Sequence, residues 1–201
     1  MLHYPARVRG IGGAVSLCIA IALGGVYVAR SASPSDKASA SPAGTVANSS
    51  SASPIYGVTI PDGYRDWQLI AVNQIQLTGK GEQLRAQLGN EIAIKAMKEG
   101  TLPFSDGSII AAMHWSKVSS GDNNKVLNGP FPGTQSFVIG SPINVQFMVK
   151  DSKKYAATGG WGFADFKGSK PGDKALHEAC FGCHVPAKDH DYVFARYAPA
   201  P

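Results

Sequence analysis

Cysteine is scarce in this chain, with three among 201 residues. Cys18 falls in an apolar run near the N-terminus, so only Cys180 and Cys183 remain in the body. That number excludes a fold stapled by several disulfides. Charge is thin as well, at 16% of residues, and the lysines are scattered without forming a basic stripe. A nucleic-acid partner is therefore not expected. The net charge of +5 includes Arg7, Arg9 and Arg30 from an acid-free first segment, which leaves a nearly neutral body. Internal repeats are absent too. What the chain does have is length and 44% hydrophobic residues, enough for one domain with its own core.

The first 30 residues read as a targeting segment. MLHYPARVRG supplies a positive flank, and IGGAVSLCIAIALGGVYVA follows without a charge. Either a cleaved secretory signal or a retained membrane anchor satisfies this pattern, and both imply export. Small residues for cleavage are present around Ala29, Ser31 and Ser33. Residues 31–55 are almost wholly Ser, Ala, Pro and small polar residues, a composition expected to remain a disordered tether. The folded domain is then expected over residues 56–201.

Within it, Trp67 to about Ile75 reads as a strand after the Pro61-Asp62-Gly63 turn. A helix is expected after Asn90 and ends at Gly100, with Ile92, Ala93, Ala96 and Met97 on its buried face. A strand follows the Asp106-Gly107 turn; on it Ile109, Met113 and Trp115 share one face, and Ile110, Ala112 and His114 the other. Two strand-like runs are broken at Gly140-Ser141-Pro142, an aromatic strand follows Gly159-Gly160, and a last helix is capped by Asp173. The order predicts an α+β fold, an antiparallel β-sheet with packed helices.

The last helix carries HEACFGCH, residues 177–184. A Cys-x-x-Cys pair can be half of a zinc site, but no second pair of ligands follows at a suitable spacing. It can be a redox dithiol, but that chemistry places the first cysteine at a helix N-terminus after a strand, and here the pair comes late in a helix. Cys-x-x-Cys-His is the attachment pattern of haem c. One helical turn aligns both sulfurs along a haem edge, and His184 follows as the proximal iron ligand. The reading is one haem c, covalent through Cys180 and Cys183.

Function then turns on the other axial position, since electron carriers fill it and gas binders leave it open. His114, His177, His190, Met97, Met113 and Met148 are the available side chains. His177 shares a helix with His184 and reads as a surface histidine; His190, within KDHD, reads as solvated. Met97, Met113 and Met148 read as core packing, and His114 stays open between surface, satisfied core and ligand. Lys150, Lys153 and Lys154 read as a solvated cap on a short helical turn.

GYRDWQLI, NEIAIKAMKEGTLPFSDGSII, VQFMVKDSKKYAATGGWGFADF, CFGCH and DYVFARYAP occur in this order. The set resembles the cytochrome P-460 family, which includes the cytochromes c′-β, over nearly all of residues 56–199. The resemblance implies a large antiparallel sheet with packed helices, one haem c per chain and a homodimer. It also places the cross-linking lysine of the hydroxylamine- and nitric-oxide-converting members six residues beyond Asp106, where this chain has Ala112. Ala112 cannot form that bond, so Ala112 and His114 become candidates for the distal pocket of an open haem that takes a diatomic gas or small nitrogen oxide. Arg196 is implied near a propionate or the proximal side, and Trp67 and Phe163 in the haem environment. An oxidoreductase acting on small nitrogen oxides, and a six-coordinate electron carrier with an unknown redox partner, are the alternative readings. The expected location is the periplasm, soluble or tethered to the inner membrane.

Overall fold

The structure is a computed structural model that describes residues 51–79 and 81–198. The targeting segment and residues 31–50 of the tether lie outside the described residues. Among the described residues no helix is long and apolar enough to cross a membrane.

The chain forms a six-stranded antiparallel sheet whose spatial order is the sequence order. The strands are β1 (Gln68–Leu77), β2 (Gly81–Gly89), β3 (Ile109–Ser119), β4 (Phe137–Lys150), β5 (Trp161–Lys167) and β6 (Lys170–Pro171). Helix α1 (Glu91–Glu99) connects β2 to β3, α2 (Gly121–Leu127) lies between β3 and β4, and α3 (Lys174–His184) follows β6. The α+β architecture expected from the sequence is the one observed.

Helix α1 shows how local chemistry sets the boundaries. Asn90 Oδ1 accepts from Ala93 N at 3.0 Å and from Ile109 N at 3.1 Å, while its Nδ2 donates to Gly107 O at 2.7 Å. One side chain thus starts the helix and ties it to the entrance of β3. Gly100 ends it at φ +65°, a conformation that costs glycine little. The face against the sheet is Ala93, Ile94 and Ala96, with Met97 partly buried. Ile92 is exposed instead of buried, because the sheet meets the helix one residue further round. Burying a side chain such as Ile94 contributes roughly 2 kcal/mol.

Two further differences matter for the site. Gly140-Ser141-Pro142 does not break the chain into two strands: β4 runs continuously through it, and the irregularity appears as shifts of register against β3 near Trp115. An antiparallel pair absorbs such a shift as a bulge without ending. Ser53, within the segment expected to be a tether, is buried; its hydroxyl donates to Phe163 O at 3.2 Å and accepts from Val58 N at 3.1 Å.

Candidate functional site

Asp173 caps α3, with Oδ1 accepting from Leu176 N at 2.8 Å. The helix then sets Cys180 and Cys183 one turn apart on neighbouring positions of one face. Both thiols are free. Burial, then the charges of Asp165 and Cys183, push the Cys180 thiol up to about 11. A thiol in that state is protonated at neutral pH, the opposite of an activated redox cysteine. Among the described residues no group of three or more His, Cys, Asp or Glu is placed to hold a metal ion.

His184 is the last residue of α3. Its Nδ1 lies 2.7 Å from Tyr192 O. A carbonyl only accepts, so Nδ1 carries the proton and Nε2 keeps its lone pair. Burial lowers the His184 pKa from its ordinary value, against the bond to Tyr192, so the ring is neutral at pH 7. The rings of Phe163 and Phe194 flank it at centroid distances of 5.0 and 5.4 Å.

Two cavities, of about 220 and 520 Å³, meet at this imidazole. Both are walled by Ile110, Ala112, Gln146, Met148 and His184. The smaller adds Cys180, Cys183 and Phe163; the larger adds Arg85, Gln87 and His114. The register explains this wall. Arg85, His114 and Asn144 are direct partners across β2, β3 and β4, as are Gln87, Ala112, Gln146 and Asp165 across β2 to β5. Direct partners point to the same face. Ala112 is therefore a gap between two carboxamides, and the wall beside it is polar.

His114 is 4% exposed. Burial first, then the charge of Arg85, lower its pKa to about 4, with Asn144 acting in the other direction. It stands as a neutral histidine on the cavity wall. Gln87, 7% exposed, and Arg85 keep Oε1 and Nε buried without a hydrogen-bond partner.

The matching family model is Cytochrome P460, over residues 61–195. The chain belongs to the cytochrome P460 family. The match covers more than half of the chain and takes in the whole cavity wall and α3. No curated protein matches the sequence. Membership of the cytochrome P460 family implies a haem cofactor, and the residues present fit one. Two free thiols lie a turn apart beside a neutral imidazole with an available Nε2, and all three border a largely apolar space.

In this member of the cytochrome P460 family, some of the side chains singled out in the sequence border the two cavities and others do not. Phe163 lines the smaller cavity, whereas Trp67 packs against the core and borders neither. Arg196 donates through Nη1 to the carbonyls of Val193, Phe194 and Ala195 at 2.9, 3.2 and 3.0 Å, and also borders neither. Met148 lines both cavities; Met113, on the other face of β3, lines neither. His190 is exposed, as expected.

Two expectations are corrected. His177 is fully buried, not superficial: Nε2 accepts from Asp165 N at 3.2 Å and Nδ1 donates to Asp173 O at 2.7 Å. It fastens the first turn of α3 to β5, whose short partner β6 does not reach Asp165. Lys150 is 5% exposed and ion-paired with Asp191, so it is no part of the solvated cap that Lys153 and Lys154 form. Arg85 and Gln87 were not anticipated, because β2 was not. Their signal was present: Leu84, Ala86 and Leu88 alternate with Gln83, Arg85 and Gln87, the period of a strand with two unlike faces.

Proposed function

We propose that the protein is an exported mono-haem c-type cytochrome of the cytochrome P460 family, with haem held covalently by Cys180 and Cys183, His184 as the proximal ligand, and an open distal side that takes nitric oxide or carbon monoxide. The observation that carries this reading is the neutral His184 imidazole, fixed through Nδ1 to Tyr192 O with Nε2 left free beside two unpaired thiols. When bound, haem supplies an iron that takes up a diatomic ligand and exchanges an electron. The chain's own residues do the rest. Tyr192 O fixes the tautomer and direction of His184, Phe163 and Phe194 limit the ring's rotation, and Ile110, Met148 and Phe163 keep water out of the apolar side. Ala112 leaves space where a longer side chain would fill the wall.

The second reading is an oxidoreductase acting on hydroxylamine or nitric oxide. Arg85, Gln87, His114 and Gln146 favour it, because a purely apolar gas pocket would not place four hydrogen-bonding side chains along one wall. A six-coordinate electron carrier needs His114 or Met148, which both border the cavity, to reach the iron. Export to the periplasm, with or without a membrane tether, follows the N-terminal pattern. A homodimer is part of the proposal. Val118, Phe137, Val138 and Ile139, exposed where β3 and β4 extend beyond β2, provide apolar surface for it.

The test is the optical spectrum of the purified protein, oxidised and reduced, before and after carbon monoxide. A ferrous spectrum that shifts with carbon monoxide is expected. A sharp two-band spectrum that ignores the gas refutes the open site, and turnover of hydroxylamine above that of free haem moves the assignment to the second reading.

A further inference from the structure

A buried ion pair lies behind His184, and the proposed function leaves it unused. Lys150 Nζ is 2.8 Å from both Oδ1 and Oδ2 of Asp191. It also donates to Gly159 O at 3.0 Å and sits 4.9 Å from the centre of the Trp161 ring. Asp191 Oδ2 takes a further bond from Phe104 N at 2.8 Å. The carboxylate thus draws together the end of β4, the loop after α1 and the turn after α3. An ion pair of this kind is a poor way to gain stability, because removing both charges from water offsets most of their attraction.

Its place in the chain gives it a different use. Asp191 and Tyr192 stand at φ 52° and 65°, a left-handed conformation that residues other than glycine adopt only when their surroundings impose it. This double bend turns Tyr192 O back towards α3, where it takes the Nδ1 proton of His184 at 2.7 Å. Lys150 holds both sides of the bend. On one side it binds the carboxylate of the preceding residue. On the other it binds Gly159 O, and the Tyr192 ring lies so close to Gly159 that a Cβ there would come within 2.1 Å of Cε2. Phe181 closes the third side at a ring distance of 5.4 Å.

We propose that the Lys150–Asp191 pair is a positioning device for the proximal histidine, acting through the Tyr192 carbonyl. The pair sets the bend, the bend sets the carbonyl, and the carbonyl sets both the tautomer of His184 and the strength with which Nε2 donates. The inference rests on the reading of His184 as the iron ligand.

The experiment uses the haem-loaded protein and three changes: Lys150→Met, Asp191→Asn and Gly159→Ala. The first two break the pair; the third presses on the Tyr192 ring while both charges of the pair remain, at a backbone position (φ +66°) whose carbonyl Lys150 binds. Ser120→Ala, which removes the side-chain cap of α2, a helix that borders neither cavity, is the control. The readouts are covalent haem content, the reduction potential and the iron–histidine stretching frequency of the ferrous protein by resonance Raman. A weakened Nδ1 bond makes imidazole a poorer donor, so the frequency falls and the potential rises in all three variants. Lys150→Arg restores both in part, and Ser120→Ala changes neither. Haem-loaded variants with the frequency and potential of the wild type overturn the proposal. Where a broken pair prevents the protein from accumulating, Gly159→Ala alone decides, and an unchanged signal in it has the same force. A wild-type protein that carries no covalent haem is a separate result and overturns the assignment of Cys180, Cys183 and His184 instead.

Discussion

Acidification tests the state assigned to His114. Its pKa is lowered from 6.5 to about 4 because burial and the Arg85 charge disfavour the imidazolium. Between those two values the unfolded chain binds more protons than the folded one, so stability is complete above about pH 6.5 and declines as the pH falls towards 4. For one group with these two constants, about 2 kcal/mol is lost between pH 7.5 and pH 5. With a urea slope of about 2 kcal/mol per molar, that is a fall of about 1 M in the denaturation midpoint. Carboxylates titrate in the same range, so the decisive quantity is a difference between proteins. His114→Gln keeps a hydrogen-bonding side chain of similar size and removes the titration. Urea midpoints at pH 7.5, 6 and 5 are expected to fall more steeply for the wild type than for His114→Gln, by about 1 M across the range. Parallel lines for the two proteins would refute the account of His114 as a buried neutral base beside Arg85.

Other substitutions test separate parts of the structure. Asn90→Ala removes three hydrogen bonds from one side chain and should lower stability by about 1–2 kcal/mol, read from the urea midpoint at constant pH. Replacing Cys180 and Cys183 together by Ala should abolish haem staining after denaturing electrophoresis while the far-ultraviolet dichroism of the sheet is retained, since Cys183 is exposed and Cys180 only half-buried. Haem that stays with the denatured double variant would exclude covalent attachment at this pair.

How much of this was legible in the sequence depended on the range of the interaction. Asn90, Gly100 and Asp173 announce helix ends because a cap acts on backbone groups within three or four residues, and those ends are where the sequence placed them. The alternation of Ile110, Ala112 and His114 likewise assigned them to one face, since a strand fixes that geometry locally. His177 and Lys150 were misjudged for the opposite reason. Nothing near His177 in sequence shows that Asp165 N lacks a strand partner 12 residues away, and the partner of Lys150 lies 41 residues on. The role of Tyr192 was invisible because it uses a carbonyl that every residue possesses; only the bend at Asp191 gives it a direction. Arg85 reached the cavity through a strand whose pattern was readable. Its proximity to His184 was not, for that depends on how α3 returns across the sheet.

The register shift between Leu69 and Ala71 leaves Ile70 bulged out of the β1–β2 ladder, and its carbonyl accepts the amide of Ala198 at 2.8 Å. The irregularity works as a buckle. The chain's last described residues are fastened to its first strand, and the span between this buckle and His184 contains the Tyr192 bend. A truncation that removed Ala198 would open the outer edge of β1 to other strands and would also slacken the segment that orients the imidazole. Solubility and haem environment are thereby joined through one backbone hydrogen bond, so a deletion that reaches Ala198 perturbs both together.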